Sequence, residues 1–169
     1  FDNLLFVYCN DVEIVSKSEL EKRIVWLSHM LQYLPESEFW MGDNSVQAWD
    51  FEQPVHKVHL KKGFWVGRYA VTQQLYESLM QSNPSEIKGA FLPVTNVSWH
   101  ESIQFCNRLS DLEGYEACYR IEDDTVLWNQ NANGYRLLTE AEWEYAARGE
   151  AATKENQLQY SGSRVPEDV

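Results

Sequence analysis

Three times this sequence sets Ser or Thr three residues ahead of Glu at the mouth of an apolar, helix-spaced run: Ser18 with Glu21, Ser98 with Glu101, and Thr139 with Glu142. In such a capping box each side chain satisfies a backbone N–H that the first helical turn leaves orphaned. Each run is also closed soon after it opens, by Pro35, Gly114 and Gly149 in turn. A chain that starts and stops its helices this often is made of short helices joined by strands and loops.

The first run predicts an amphipathic helix over 18–34, with Leu20, Ile24, Leu27 and Leu31 on one face and Val25, Met30 and Leu34 beside them. Thr72 reads as an N-cap for a helix near 73–81, with Val71 and Tyr76 as a hydrophobic staple. After Ser98, the spacing of Trp99, Ile103, Cys106 and Leu109 predicts a shared buried face, with His100 exposed on the first turn. After Thr139, Trp143, Ala146 and Ala147 are expected to turn inward, while Glu140, Glu144 and Arg148 can interact one turn apart. Apolar or alternating runs at 4–8, 55–60, 63–72 and 125–129 predict short strands.

The chain has 169 residues, enough for one domain with a core, or a domain plus an arm. Seven Trp and nine Tyr can fill that core with little regular structure, because each ring brings a large contact area. The net charge of −12 argues against a nucleic-acid backbone or an anionic membrane as the main partner. No apolar run reaches membrane-spanning length, so no membrane insertion is expected. Cys9, Cys106 and Cys118 are too few for a disulfide scaffold. A Cys106–Cys118 bridge is open to the chain, but buried reduced thiols are the commoner arrangement.

The stretch NQNANGYRLLTE puts Asn129, Asn131, Asn133, Gly134 and Glu140 at ligand and turn positions of an EF-hand loop. The segment entering it reads as a strand, and Glu140 is the one carboxylate among the ligand positions. Asn133-Gly134 is better read as a hairpin turn between two apolar runs. His56 and His59 lie three apart on a predicted strand and point to opposite faces, a poor metal pair. There is no zinc cluster, Ser/His/Asp set or Gly-rich phosphate loop. Asp123-Asp124 reads as a solvated turn, and the sequon Asn96-Val97-Ser98 is better explained by Ser98 as a cap. Trp49 and Phe51, in the acidic loop 43–53, are candidate binding residues, either exposed for contact or packed beneath the loop.

In order and spacing, the segments EFWMGDN, EQPVHKVHLKKGFWVGRYAVTQQLYESLM, LPVTNVSWHESIQFCNRLS, ANGYRLLTEAEWEYAARGE and YSGS resemble the sulfatase-modifying factor, or formylglycine-generating enzyme, family over about 36–169. The YRL-TEAEWEYAARG string is the most specific; Leu138 departs from it where a Pro is usual. The resemblance implies an α+β fold, irregular and loop-rich, related to C-type lectins, with short strands and about three short capped helices. It also implies that Trp99, Arg136, Thr139, Glu142, Trp143 and Arg148 are scaffold rather than site.

Family members include copper-dependent oxidases that convert a sulfatase cysteine to formylglycine, second domains of sulfoxide synthases, accessory domains on bacterial kinases, and display proteins with a variable ligand-binding face. The family's catalytic cysteines and usual calcium-binding segments lie in a later half that is not present in this sequence. No catalytic residue, metal ligand or cofactor is therefore expected here. The expected organisation is an N-terminal arm over 1–35 and the N-terminal half of the family's domain over 36–169. The expected function is a non-catalytic module for protein or ligand interaction within a larger, bacterial, cytoplasmic protein. The alternatives are the N-terminal part of a formylglycine-generating oxidoreductase, or a half-domain whose exposed face is completed by a second chain.

Overall fold

A computed structural model describes residues 8–9, 30–46, 48–123 and 125–148. These fall into two units. The first holds the described residues up to Tyr33 together with Phe64–Leu137; the second holds Leu34–Gly63 and the described residues from Leu138 onward. The fold is mixed α+β, as the capping pattern and the resemblance imply.

The first unit has a four-stranded sheet in the order β2 (Leu31–Leu34), β5 (Phe64–Gly67), β1 (Tyr8–Cys9), β8 (Tyr135–Arg136). Strand β1 lies antiparallel to both neighbours, with Tyr8 opposite Val66 on one side and Arg136 on the other. In β5 the alternation is plain: Phe64 and Val66 are buried while Trp65 leans out and meets Tyr33, ring centroids 5.3 Å apart.

Helices α1 (Gln73–Met80) and α2 (Trp99–Glu113) carry this unit's core. Thr72 caps α1, accepting from the Leu75 N–H at 3.3 Å, and its staple partners Val71 and Tyr76 are both buried. On α2, Ile103, Cys106 and Leu109 are buried as their spacing predicts, together with Phe105, which stacks on Tyr76 at 5.6 Å. Gly114 ends α2 in the left-handed conformation, at φ 78°. The hairpin of β6 (Tyr119–Glu122) and β7 (Thr125–Trp128) follows, turning where Asp123 has a positive φ.

In the second unit β3 (Ser37–Met41) pairs antiparallel with β4 (His56–Leu60), Phe39 opposite Val58 and Met41 opposite His56. Helix α3 (Glu140–Arg148) packs on β3 through Tyr145, whose ring lies 5.4 Å from that of Phe39. Both rings are almost fully buried.

Four expectations change. Of the helix expected over 18–34, residues up to 29 lie outside the described residues, and Leu31–Leu34 forms strand β2. Leu31 is buried there, and Arg68 bonds the neighbouring backbone, from its N–H to the Met30 carbonyl (2.9 Å) and from Nε to the Leu31 carbonyl (3.2 Å). Pro35 disfavours a helical Leu34 in any case.

Trp99 does not share the buried face of α2; it is 53% exposed and meets His100 edge-on. Trp143 is likewise exposed, and Tyr145 takes the inward position on α3. Asn133-Gly134 does not close a hairpin, because β7 pairs with β6 and β8 with β1. Gly134 is required for a different reason: a Cβ there would overlap the Glu116 carbonyl oxygen and the Ser110 hydroxyl. The predicted stop at Gly149 and the strand residues 4–7 lie outside the described residues.

Gly134→Ala is therefore expected to destabilise by about 2 kcal/mol, because backbone has to move; a denaturant midpoint checks it. The Ser98 box adds a pH signature. Hydrogen bonds from the Ser98 hydroxyl and N–H hold the Glu101 carboxyl below the usual range. A folded pKa depressed in this way contributes stability above the unfolded value near 4.5, and loses it as pH falls through the folded value. Ser98→Ala should cost about 1 kcal/mol at neutral pH. The gap between Glu101→Gln and the parent chain should close below the normal carboxylate range, read by thermal unfolding across pH.

Candidate functional site

In the second unit, the loop between β3 and β4 is long and carries no strand, so its shape depends on side chains bonding to backbone. Asp43 accepts from the Ser45 N–H (2.7 Å) and hydroxyl (2.8 Å), and Asn44 accepts from the Val55 N–H (2.9 Å). Glu52 reaches back to the Trp49 N–H at 2.7 Å and so closes a short 3-10 turn over Asp50–Glu52.

The loop is tied to α3 at Gly42. Glu144 Oε1 accepts from the Gly42 N–H at 2.7 Å, and Arg148 Nη2 donates to the Gly42 carbonyl at 3.1 Å. The two side chains also pair with each other, Arg148 Nε to Glu144 Oε1 at 2.9 Å. Gly42 sits at φ 95°, and a Cβ would overlap the Glu52 carbonyl, so only glycine fits the clamp without strain.

This turn presents Trp49 and Phe51 to solvent, 68% and 81% exposed, stacked nearly parallel with centroids 6.1 Å apart. Beside them a cleft of about 580 Å³ is lined by Met41, Asp43, Phe51, Val58, Glu140 and Trp143, among others. Thr139 and Arg148 also line it, and Thr139 forms its capping box with Glu142: the Thr139 N–H and hydroxyl donate to Glu142 Oε2 at 2.8 and 3.0 Å. Of the residues singled out in the sequence, Phe51, Thr139, Trp143 and Arg148 thus meet around one cleft, with Trp49 stacked at its edge. Trp99 and Arg136 belong to the other unit; Arg136 is buried there, with its guanidinium 5.5 Å from the Trp128 ring.

The EF-hand-like asparagines have structural partners. Asn129 bonds the Glu116 carboxylate and accepts from the Asn131 N–H, and Asn133 accepts from the Glu116 N–H. Cys106 and Cys118 are free buried thiols. Burial pushes both thiol pKa values up, and for Cys106 the neighbouring Cys118 adds to this. They are protonated at neutral pH and lack the thiolate a nucleophile needs. Among the described residues no group of three or more His, Cys, Asp and Glu is placed to hold a metal ion, and no helix is long and apolar enough to cross a membrane.

What the sequence did not disclose is the pairing of Gly42 with Glu144 and Arg148. The i,i+4 spacing of the two charged residues is plain in the sequence, but not their grip on a glycine 102 and 106 residues upstream.

Short sheets, capped helices and a loop pinned by a Glu–Arg clamp make a mixed α+β scaffold that holds an irregular loop in place. The chain belongs to the sulfatase-modifying factor enzyme 1-like domain family, whose profile matches residues 27–168. It is 40% identical over 121 residues to the chaperone protein LppX of Paenibacillus barcinonensis, a match covering 63% of this chain and 42% of that protein. Among solved structures it is similar to Treponema denticola variable protein 1, with TM-score 0.69, 27% identity and coverage of 82% of this chain and 57% of that one. CarF is similar at TM-score 0.64 and 26% identity, with coverage of 82% and 64%. The chain thus spans less than two thirds of the length of each.

The clamp sets an expectation for stability. Glu144→Gln should cost about 2 kcal/mol, since a charge-assisted bond to a half-buried N–H weakens and the ion pair with Arg148 is lost. Arg148→Lys should not rescue Arg148→Ala, because a lysine cannot bond the carboxylate and the carbonyl with a planar fork. Thermal unfolding of the variants checks both.

Proposed function

We propose that this chain works as a non-catalytic interaction module of a larger protein, contacting a protein or other ligand through the loop that carries Trp49 and Phe51. The observation that carries this reading is the exposed, stacked aromatic pair on a loop fixed at both ends by side-chain hydrogen bonds. Two large rings in water cost free energy that contact with a partner returns, and the fixed loop reduces the entropy lost on binding. The names of two relatives agree with such a role: one is called a chaperone and the other a variable protein. The thiols described here are buried and protonated, which suits scaffold rather than oxidation chemistry.

The test has two arms. Ligands are selected against the chain from a peptide library and a glycan array. Trp49→Ala and Phe51→Ala should each weaken what is selected by about tenfold, as expected of exposed aromatic hot spots, with the unfolding midpoint unchanged. In parallel, the chain is incubated with copper, oxygen and a cysteine peptide, and peptide mass is followed. Conversion of the cysteine to formylglycine would overturn the non-catalytic reading, and ligands indifferent to both substitutions would overturn the placement of the surface.

A further inference from the structure

Among the described residues, the cleft of the second unit is lined by four carboxylates, Asp43, Glu52, Glu140 and Glu144, and by a single guanidinium, Arg148. Their commitments differ. Arg148 is held by Glu144 and the Gly42 carbonyl, so neither it nor Glu144 is available to a visitor. Asp43 and Glu52 accept loop hydrogen bonds and have no ion-pair partner among the described residues. Glu140 is exposed and has no hydrogen-bond or ion-pair partner among the described residues.

An anion finds little here. On the first turn of α3 the Glu142 N–H is bonded to Thr139 Oγ1 at 3.3 Å and the Trp143 N–H to the Thr139 carbonyl at 2.9 Å, and the exposed Glu140 carboxylate stands on the same turn. His56 uses Nδ1 on the Pro54 carbonyl at 2.9 Å, and three carboxylates with no cationic partner among the described residues face the space.

A cation with an aliphatic stem meets complementary groups throughout. Met41 and Val58 supply half-buried apolar surface for methylenes. The exposed rings of Phe51 and Trp143 offer faces for a cationic head, and Glu140 offers a carboxylate. The net charge of −12 attracts such a group at long range.

We propose that the cleft bounded by Phe51, Trp143 and Glu140 takes a lysine or arginine side chain from a basic segment of a protein partner. This rests on the interaction-module reading and names the chemistry of the partner.

The experiment titrates the full chain with a Gly/Ser peptide bearing arginines, and with counterparts in which citrulline or glutamate replaces every arginine. Free arginine amide is the small-molecule control, and backbone NMR shifts locate the binding. The arginine peptide should bind and shift residues around Glu140, Phe51 and Trp143, and added salt should weaken it. The citrulline peptide should bind about tenfold more weakly or not at all, since it keeps the shape and loses the charge. Glu140→Lys should abolish binding and Phe51→Ala should weaken it severalfold; Phe51 is exposed, so its unfolding midpoint should hold, while Glu140→Lys should lower the midpoint slightly by reversing a first-turn charge.

Equal affinity for citrulline, indifference to Glu140→Lys, shifts confined to the first unit, or no binding at all would each overturn the proposal. So would arginine amide binding as tightly as the peptide, which would make this a small-cation site. A neutral ligand that needs Trp49 sinks the cationic inference and leaves the module reading intact. Formylglycine formation sinks the module reading on which the inference rests.

Discussion

Side chains that bond to distant backbone hold this protein together where regular secondary structure does not. Asn107 takes both backbone polar groups of Tyr119, donating to its carbonyl at 2.6 Å and accepting from its N–H at 3.1 Å. Ser110, buried on α2, accepts from the Tyr135 N–H at 2.8 Å and so starts strand β8. Gln73 is buried and fully used: its amide donates to the carbonyls of Ile87 and Pro93, and its oxygen accepts from Asn83 and the Gly89 N–H. The Glu144–Arg148 clamp on Gly42 follows the same logic. Buried backbone groups must find partners, and a fold with strands of two to five residues cannot supply them all from ladders.

This dependence explains what could be read in the sequence. The caps at Thr72, Ser98 and Thr139 are local devices, complete within four residues, and they and their helices are found where the sequence places them. The family resemblance, carried by contiguous strings, brought the fold class with it. What failed was long-range. Leu31–Leu34 has helical spacing, yet pairing with β5 claims it, and nothing within the segment announces that partner. Asn133-Gly134 has the composition of a turn, yet the glycine answers to Glu116 and Ser110 pressing on its α-carbon.

The tryptophans failed for a related reason. Periodicity says that one face of a helix is apolar; it does not say how much of that face the neighbouring elements cover. On α3 the buried position falls to Tyr145, which meets Phe39, while Trp143 stands at the rim of the cleft. On α2 the covered face begins at Ser102 and Ile103, and Trp99 lies beyond it. The candidates Trp49 and Phe51 came from loop composition, which left open whether they pack or protrude. The turn closed by Glu52 decides that, because it fixes the backbone with both rings outward.

The same turn links fold to chemistry. Asp43 and Glu52 spend hydrogen-bonding capacity on the loop, yet a carboxylate that accepts one N–H keeps its charge. The residues that shape the loop therefore also set the sign of the field in the cleft beside it. Arg148 could have offset that field, but the clamp draws its guanidinium onto Glu144 and the Gly42 carbonyl. Glu140 has no ion-pair partner among the described residues; it stands on the first turn of α3, where the helix dipole favours a negative charge whether or not a ligand is bound. A cleft of one sign thus arises from the requirements of a cap and a loop, and selection for a basic partner would need to add little beyond the aromatic rim.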